Sequence, residues 1–146
     1  FALGGIGVSA LDLPSKPLIV ESTSDLLLEW ASANPHEGVQ MHVELNINNH
    51  GSTSAWIACD APDNGELAVP QTLLAQLFEI GVSGFPSLSL SRRSVDSEDV
   101  GVGCVEFIVR TDQDVTIEVT GVTSCTTDKQ CGPGQTCGAD LQCHGS

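Results

Sequence analysis

Between Leu18 and Thr120 apolar and polar side chains alternate with a period of two, and the apolar positions are rich in β-branched residues. That pattern belongs to strands with one face in a core and the other in water. It predicts strands at 18–22, 25–30, 39–47, 54–59, 86–92, 102–110 and 114–120. The alternation is strictest in Met41-His42-Val43-Glu44-Leu45 and Val115-Thr116-Ile117-Glu118-Val119. Asn34-Pro35, Asn48-Asn49-His50-Gly51, Asp63-Asn64-Gly65 and Asp112-Gln113-Asp114 carry the residues of tight reversals, and short strands at such spacing imply an all-β sandwich. One segment departs from the pattern. Pro70 to Phe78 opens on proline and repeats leucines at helical spacing, which predicts one or two helical turns capping an end of the sandwich. Trp30 and Trp56 read as core anchors, because aromatic residues make up only 4% of the chain and burial is their usual fate.

Residues 1–13 break the alternating pattern in a different way. They are apolar, glycine-rich and nearly uncharged, and Pro14 and Pro17 separate them from the strand-forming region. Phe1, Leu3, Ile6, Val8, Leu11 and Leu13 form an arm that needs cover. In Gly5-Ile6-Gly7-Val8-Ser9-Ala10 the apolar side chains alternate with small ones, so an extended arm has one face to bury and one slim face. Two arrangements satisfy it: the arm folds back as the first strand of its own sandwich, or it adds as a strand to the sheet edge of a neighbour. The second contact is head-to-tail and generates open filaments unless the rotation closes a ring. Residues 1–17, 18–122 and 123–146 then divide as arm and linker, sandwich, and cysteine-rich module.

Nineteen acidic residues against five basic ones give a formal charge of −14. Such a chain is repelled by phosphate backbones and anionic membranes, so nucleic acid is not an expected partner. No stretch reaches the ~18 apolar residues of a membrane helix. A start at Phe1 rather than Met fits a precursor whose targeting segment has been removed, and the expected location is extracellular or at the cell surface.

The cysteines support that location. There are six, Cys59, Cys104, Cys125, Cys131, Cys137 and Cys143, and the last four recur with five residues between neighbours. An even count suggests pairing, and the spacing lacks the Cys-x-x-Cys pairs of a tetrahedral zinc site. Four cysteines allow three pairings. Neighbouring ones enclose very tight loops, which favours the interleaved set Cys125 with Cys137 and Cys131 with Cys143; Cys59 and Cys104 then pair by elimination.

Catalytic patterns are few. Gly81-Val82-Ser83-Gly84 approaches a nucleophile elbow, but Phe85 stands where glycine is required. Gly5-Ile6-Gly7-Val8-Ser9-Ala10 formally fits a dinucleotide fingerprint without the preceding strand or the following helix. His36, His42, His50 and His144 have no pair at metal-ligand spacing. Asp60, Asp63 and Glu66, and separately Asp96-Ser97-Glu98-Asp99, offer hard oxygen ligands for calcium, yet neither matches a twelve-residue calcium loop. No cofactor is expected. No Asn-x-Ser/Thr acceptor occurs, whereas Ser52-Thr53-Ser54 and Thr126-Thr127 leave hydroxyl glycosylation open.

Leu26 to Trp30, Cys59-Asp60-Ala61-Pro62-Asp63-Asn64-Gly65-Glu66 and Val69-Pro70 with Leu73-Leu74 resemble immunoglobulin- or fibronectin-III-like domains of bacterial secreted proteins. The tail, Cys-x5-Cys-Gly-Pro-Gly-Gln-Thr-Cys-x5-Cys, is similar to short cysteine-rich repeats appended to bacterial surface proteins. The resemblance implies an immunoglobulin-like body. An apolar arm on such a body resembles strand-exchanging pilus and fibril subunits, which implies a non-enzymatic subunit of an extracellular fibre with identical subunits as partners. A monomeric adhesin or a carbohydrate- or calcium-binding module, working through Trp56 or the Asp60–Glu66 loop, is the rival expectation. A small inhibitor acting through Gly132-Pro133-Gly134-Gln135 is a third, although a turn accounts for those residues.

Overall fold

A computed structural model describes residues 17–32, 38–48 and 55–145. In chain order the elements are β1 (Leu18–Val20), β2 (Leu26–Glu29), β3 (Val39–Asn48), β4 (Ala55–Pro62), β5 (Glu66–Val69), α1 (Gln71–Ile80), β6 (Ser87–Asp99), β7 (Cys104–Val115), β8 (Ile117–Val119), a 3-10 turn at Asp128–Gln130, β9 (Gln135–Cys137) and β10 (Cys143–Gly145). The fold is all-β with one short helix and a disulfide-rich end. A four-stranded antiparallel sheet of order β4-β3-β6-β7 packs against the two-stranded pairs β2-β5 and β1-β8, the latter parallel. No helix among the described residues is long and apolar enough to cross a membrane.

The alternation read from the chain is what fills the space between the sheets. Met41, Val43, Leu45 and Ile47 on β3 and Leu88 and Leu90 on β6 point inward and are buried, meeting Val20, Leu28, Trp30 and Val69 from the other layer. Leu74 and Leu77 of α1 close one end of this core, as the leucine spacing predicts. Asp25 in the β1–β2 turn accepts the backbone N–H of Gln71 at 2.7 Å, and the Gln71 side chain donates to the Ser22 carbonyl at 2.8 Å. The helix start thus finds an acceptor for one of its orphan N–H groups and a negative charge where the dipole favours one.

Three local expectations change. Asp112-Gln113-Asp114 does not turn; it continues β7, with Ser91 opposite Asp112 and Ser89 opposite Asp114. The Ser91 hydroxyl donates to Asp112 across the ladder, and small Ser89 stands opposite Asp114, so carboxylates that in isolation read as turn formers fit in the strand. The reversal lies instead at Val100–Gly103, where Asp99 accepts the Gly101 N–H at 2.7 Å and Gly101 adopts a φ of 81° that side chains resist. The stretch after Asp63-Asn64-Gly65 is a strand, β5, which pairs with β2 rather than with the preceding β4. Gly65 is needed there because its φ of 99° is one that side chains resist, and its carbonyl accepts the Trp30 N–H at 2.9 Å.

β3 pairs with β6 only as far as Val39 opposite Ser94. Beyond that point, Val95–Asp99 and Cys104–Ile108 run on as a two-stranded ribbon. The cysteine-rich module sits at the other end of β6, where the Gly84 N–H donates to the Asp140 carbonyl at 2.8 Å and Gln142 Nε2 donates to the Gly84 carbonyl at 2.7 Å.

Candidate functional site

On the outer face of the four-stranded sheet, Asp60, His42, Ser91 and Asp112 stand in one cross-strand row. His42 Nδ1 lies 2.8 Å from Asp60 Oδ1, and the Arg93 guanidinium donates to the same carboxylate. The hydrogen bond from His42, with Arg93 behind it, holds the Asp60 carboxyl below the usual carboxylate range. Serine, histidine and aspartate side by side suggest a nucleophile, a base and its orienting acid. The hydrogen bonds run otherwise: the Ser91 hydroxyl donates to Asp112, which also binds Arg110 Nε at 3.1 Å. The serine proton is committed away from the imidazole, so the row satisfies charges and does not activate a nucleophile.

The candidate calcium ligands do not converge. Asp60 belongs to the outer row. Asp63 points into the protein, accepting Trp30 Nε1–H at 2.7 Å on Oδ1 and pairing through Oδ2 with Arg92 Nε at 3.0 Å. Glu66 stands exposed on β5 beside Glu29. In the second candidate run, Asp96 and Asp99 bind the backbone N–H groups of Ser97 and Gly101. The only metal-sized cluster among the described residues is Cys125, Cys131 and Cys143, and those sulfurs are in disulfides.

Cys125 is bonded to Cys137 and Cys131 to Cys143, with Cα separations of 5.9 and 5.5 Å. This is the interleaved pairing that the even spacing favours. The partner assigned by elimination to Cys59 is wrong: Cys59 and Cys104 are both unpaired. Cys59 faces Val43, which faces Leu90, which faces Gln113, and Cys104 lies nine residues further along β7. Three strand spacings across and nine residues along put the two cysteines roughly 30 Å apart, far outside the ~7 Å that a disulfide spans. Burial pushes the Cys59 thiol up, and the neighbouring Asp60 carboxylate adds to it; Cys104 is exposed on the ribbon. His144, the other described histidine, pairs with Asp140 in the tail at 2.9 Å.

Trp30 is buried as expected, whereas Trp56 is 56% exposed. The register decides this, since Ile57 opposes Leu45 of the core face and Trp56 therefore takes the other side of β4. With Ala55, Ile57 and Leu73, Gln76, Leu77 and Ile80 of α1, Trp56 lines an open apolar groove of about 360 Å³ along the edge of the sheet. Leu73 and Ile80 are exposed there. The other edge, β7, carries exposed Val105, Phe107 and Ile108 on the ribbon, with Val102 almost fully exposed at its tip. Phe1, Leu3, Ile6, Val8, Leu11 and Leu13, which form the expected self-assembly arm, lie outside the described residues, as do His36 and His50. Comparison with family models, curated proteins and solved structures finds nothing that matches this chain.

Proposed function

We propose that the protein is a non-enzymatic structural subunit of an extracellular fibre or surface appendage, assembled as residues 1–13 of one copy add to the β4 edge of the next. The observation that carries this reading is the groove beside β4: a strand edge with no further strand beside it among the described residues, flanked by Trp56 and by Leu73 and Ile80 of α1. Such an edge offers backbone hydrogen bonds together with apolar recesses for alternate side chains, and the arm supplies Ile6 and Val8 at that alternation. The immunoglobulin-like resemblance of the body, the disulfides that harden the tail, and a surface charge that keeps the subunits soluble before assembly accord with it. The test uses Trp56 as its own reporter. A synthetic peptide of residues 1–13, added to chain lacking that segment, is expected to shift the Trp56 emission to the blue, and the full chain is expected to show filaments by electron microscopy. A full chain that stays monomeric by light scattering and a peptide without effect on the emission overturn the proposal.

The exposure of Trp56 also favours a second reading, a secreted adhesin or carbohydrate-binding module in which the indole is a stacking platform. In that case the emission responds to a glycan and not to the peptide.

A further inference from the structure

β7 is the outermost strand of its sheet, so from Cys104 to Val115 one side of its backbone has no strand beside it among the described residues. Edges of this kind are normally blunted by lysine, proline, bulges or charge. β7 carries none of these between Val105 and Val109 except Glu106; the run Val105-Glu106-Phe107-Ile108-Val109 is β-branched and aromatic, and Phe107 and Ile108 are 45% and 48% exposed. The order of residues along this edge is self-complementary: an acid, three apolar residues, then a base, Glu106-Phe107-Ile108-Val109-Arg110.

We propose that β7 is a two-fold interface at which the β7 strands of two copies pair antiparallel, centred on Ile108. In this register Ile108 meets its own counterpart. Phe107 meets Val109 of the second copy, Val105 meets Thr111, and Glu106 faces Arg110 twice over, once on each side of the axis. Residues directly opposite lie ~4.5–5.5 Å apart at Cβ, close enough for each pair to interact. The charges select this centre among the symmetric alternatives. Centring on Glu106 or on Arg110 sets like charges together, and centring on Phe107 sets Glu106 against Ile108. Centring on Thr111 pairs Arg110 with Asp112 but sets Ile108 against Asp114. Arg110 is able to exchange partners, because its present ion pair with Asp112 is exposed on both sides and contributes little. The contact is isologous and closes on itself, so it goes beyond the head-to-tail reading: it joins two chains, or two filaments, side by side.

The experiment uses the full chain with Cys59→Ser, Cys104→Ser and Ile108→Cys. Oxidised glutathione is the oxidant: the two introduced thiols, one from each copy, become one disulfide, and one glutathione disulfide becomes two thiols. A covalent dimer mapping to position 108 is expected on a non-reducing gel. Adding Glu106→Arg or Arg110→Glu lowers its yield ~10-fold, and carrying both reversals restores it. Mixing the two single reversals yields a crosslinked heterodimer, a result that a folding defect cannot produce. In the unaltered chain Cys104 faces Asp112 of the second copy, eight residues or roughly 27 Å from the other Cys104, so no Cys104–Cys104 dimer forms. A crosslink indifferent to both charge reversals, a double reversal that fails to restore it, or a Cys104–Cys104 dimer in the unaltered chain overturns the proposal. The crosslink reads β7 alone, so it succeeds or fails independently of what residues 1–13 do.

Discussion

Replacing Asp63 by asparagine tests how the two layers are held in register at the ribbon end. Asp63 follows β4, Trp30 follows β2 and Arg92 lies on β6, so the carboxylate ties both layers together. It accepts Trp30 Nε1–H at 2.7 Å and Arg92 Nη2–H at 3.3 Å and forms an ion pair with Arg92 Nε at 3.0 Å, while Arg92 Nη2 also donates to the Ala31 carbonyl. Arg92 is 1% exposed and Asp63 6%. Asparagine keeps the shape and an acceptor for the indole but takes the Asp63 charge away from the buried guanidinium, a change that costs about 3–5 kcal/mol. Against a total stability of about 5–15 kcal/mol for a domain, that is a large fraction. With a urea m-value of ~1–3 kcal/mol/M the midpoint should fall by at least ~1 M, followed by tryptophan emission and far-UV circular dichroism. Trp30→Phe removes one donor and leaves the ion pair, so it should cost less than Asp63→Asn. Asp63→Leu combined with Arg92→Met removes both charges and should be milder than the single loss. A midpoint shift below ~0.3 M for Asp63→Asn would refute the reasoning, since the buried guanidinium would then have found water or another partner at almost no cost.

The two unpaired thiols should differ in reactivity. An aromatic disulfide reagent should modify Cys104 rapidly in the native protein and Cys59 only slowly, because burial and Asp60 disfavour its thiolate; Asp60→Asn should quicken Cys59, and equal native rates for the two would contradict the structure. Removing the Cys125–Cys137 bridge by double alanine substitution should cost the tail about 2–4 kcal/mol, read as proteolytic nicking between Cys125 and Cys143. The body should keep its urea transition, because Cys125 alone of the four is buried and the core cluster contains none of them; loss of both together would show that the tail braces the sandwich.

Local physics made part of this protein legible in its chain. Period-two alternation in Met41–Leu45 and Val115–Val119 needs only the pleat of a strand to choose the core face, and the leucines after Pro70 need only the turn of a helix. Loop length favours the interleaved bridges that the tail forms. What the chain could not decide was register, because a one-residue slip exchanges the faces of a strand. Residues 55–59 carry apolar side chains on both faces, so only the pairing of Ile57 with Leu45 puts Trp56 in water. Cys59 and Cys104 were joined by counting, a rule blind to distance, and strand order set them at opposite edges of one sheet. Asp112 and Asp114 read as turn formers until β6 presented serines opposite them, and Asp63 read as a turn former and candidate calcium ligand until the fold brought it the Trp30 indole and the Arg92 guanidinium. Alternation and loop length act between near neighbours and are written in the chain; the open edges, the exposed tryptophan and the buried ion pair depend on contacts between strands far apart in sequence, which only the folded sheet brings together.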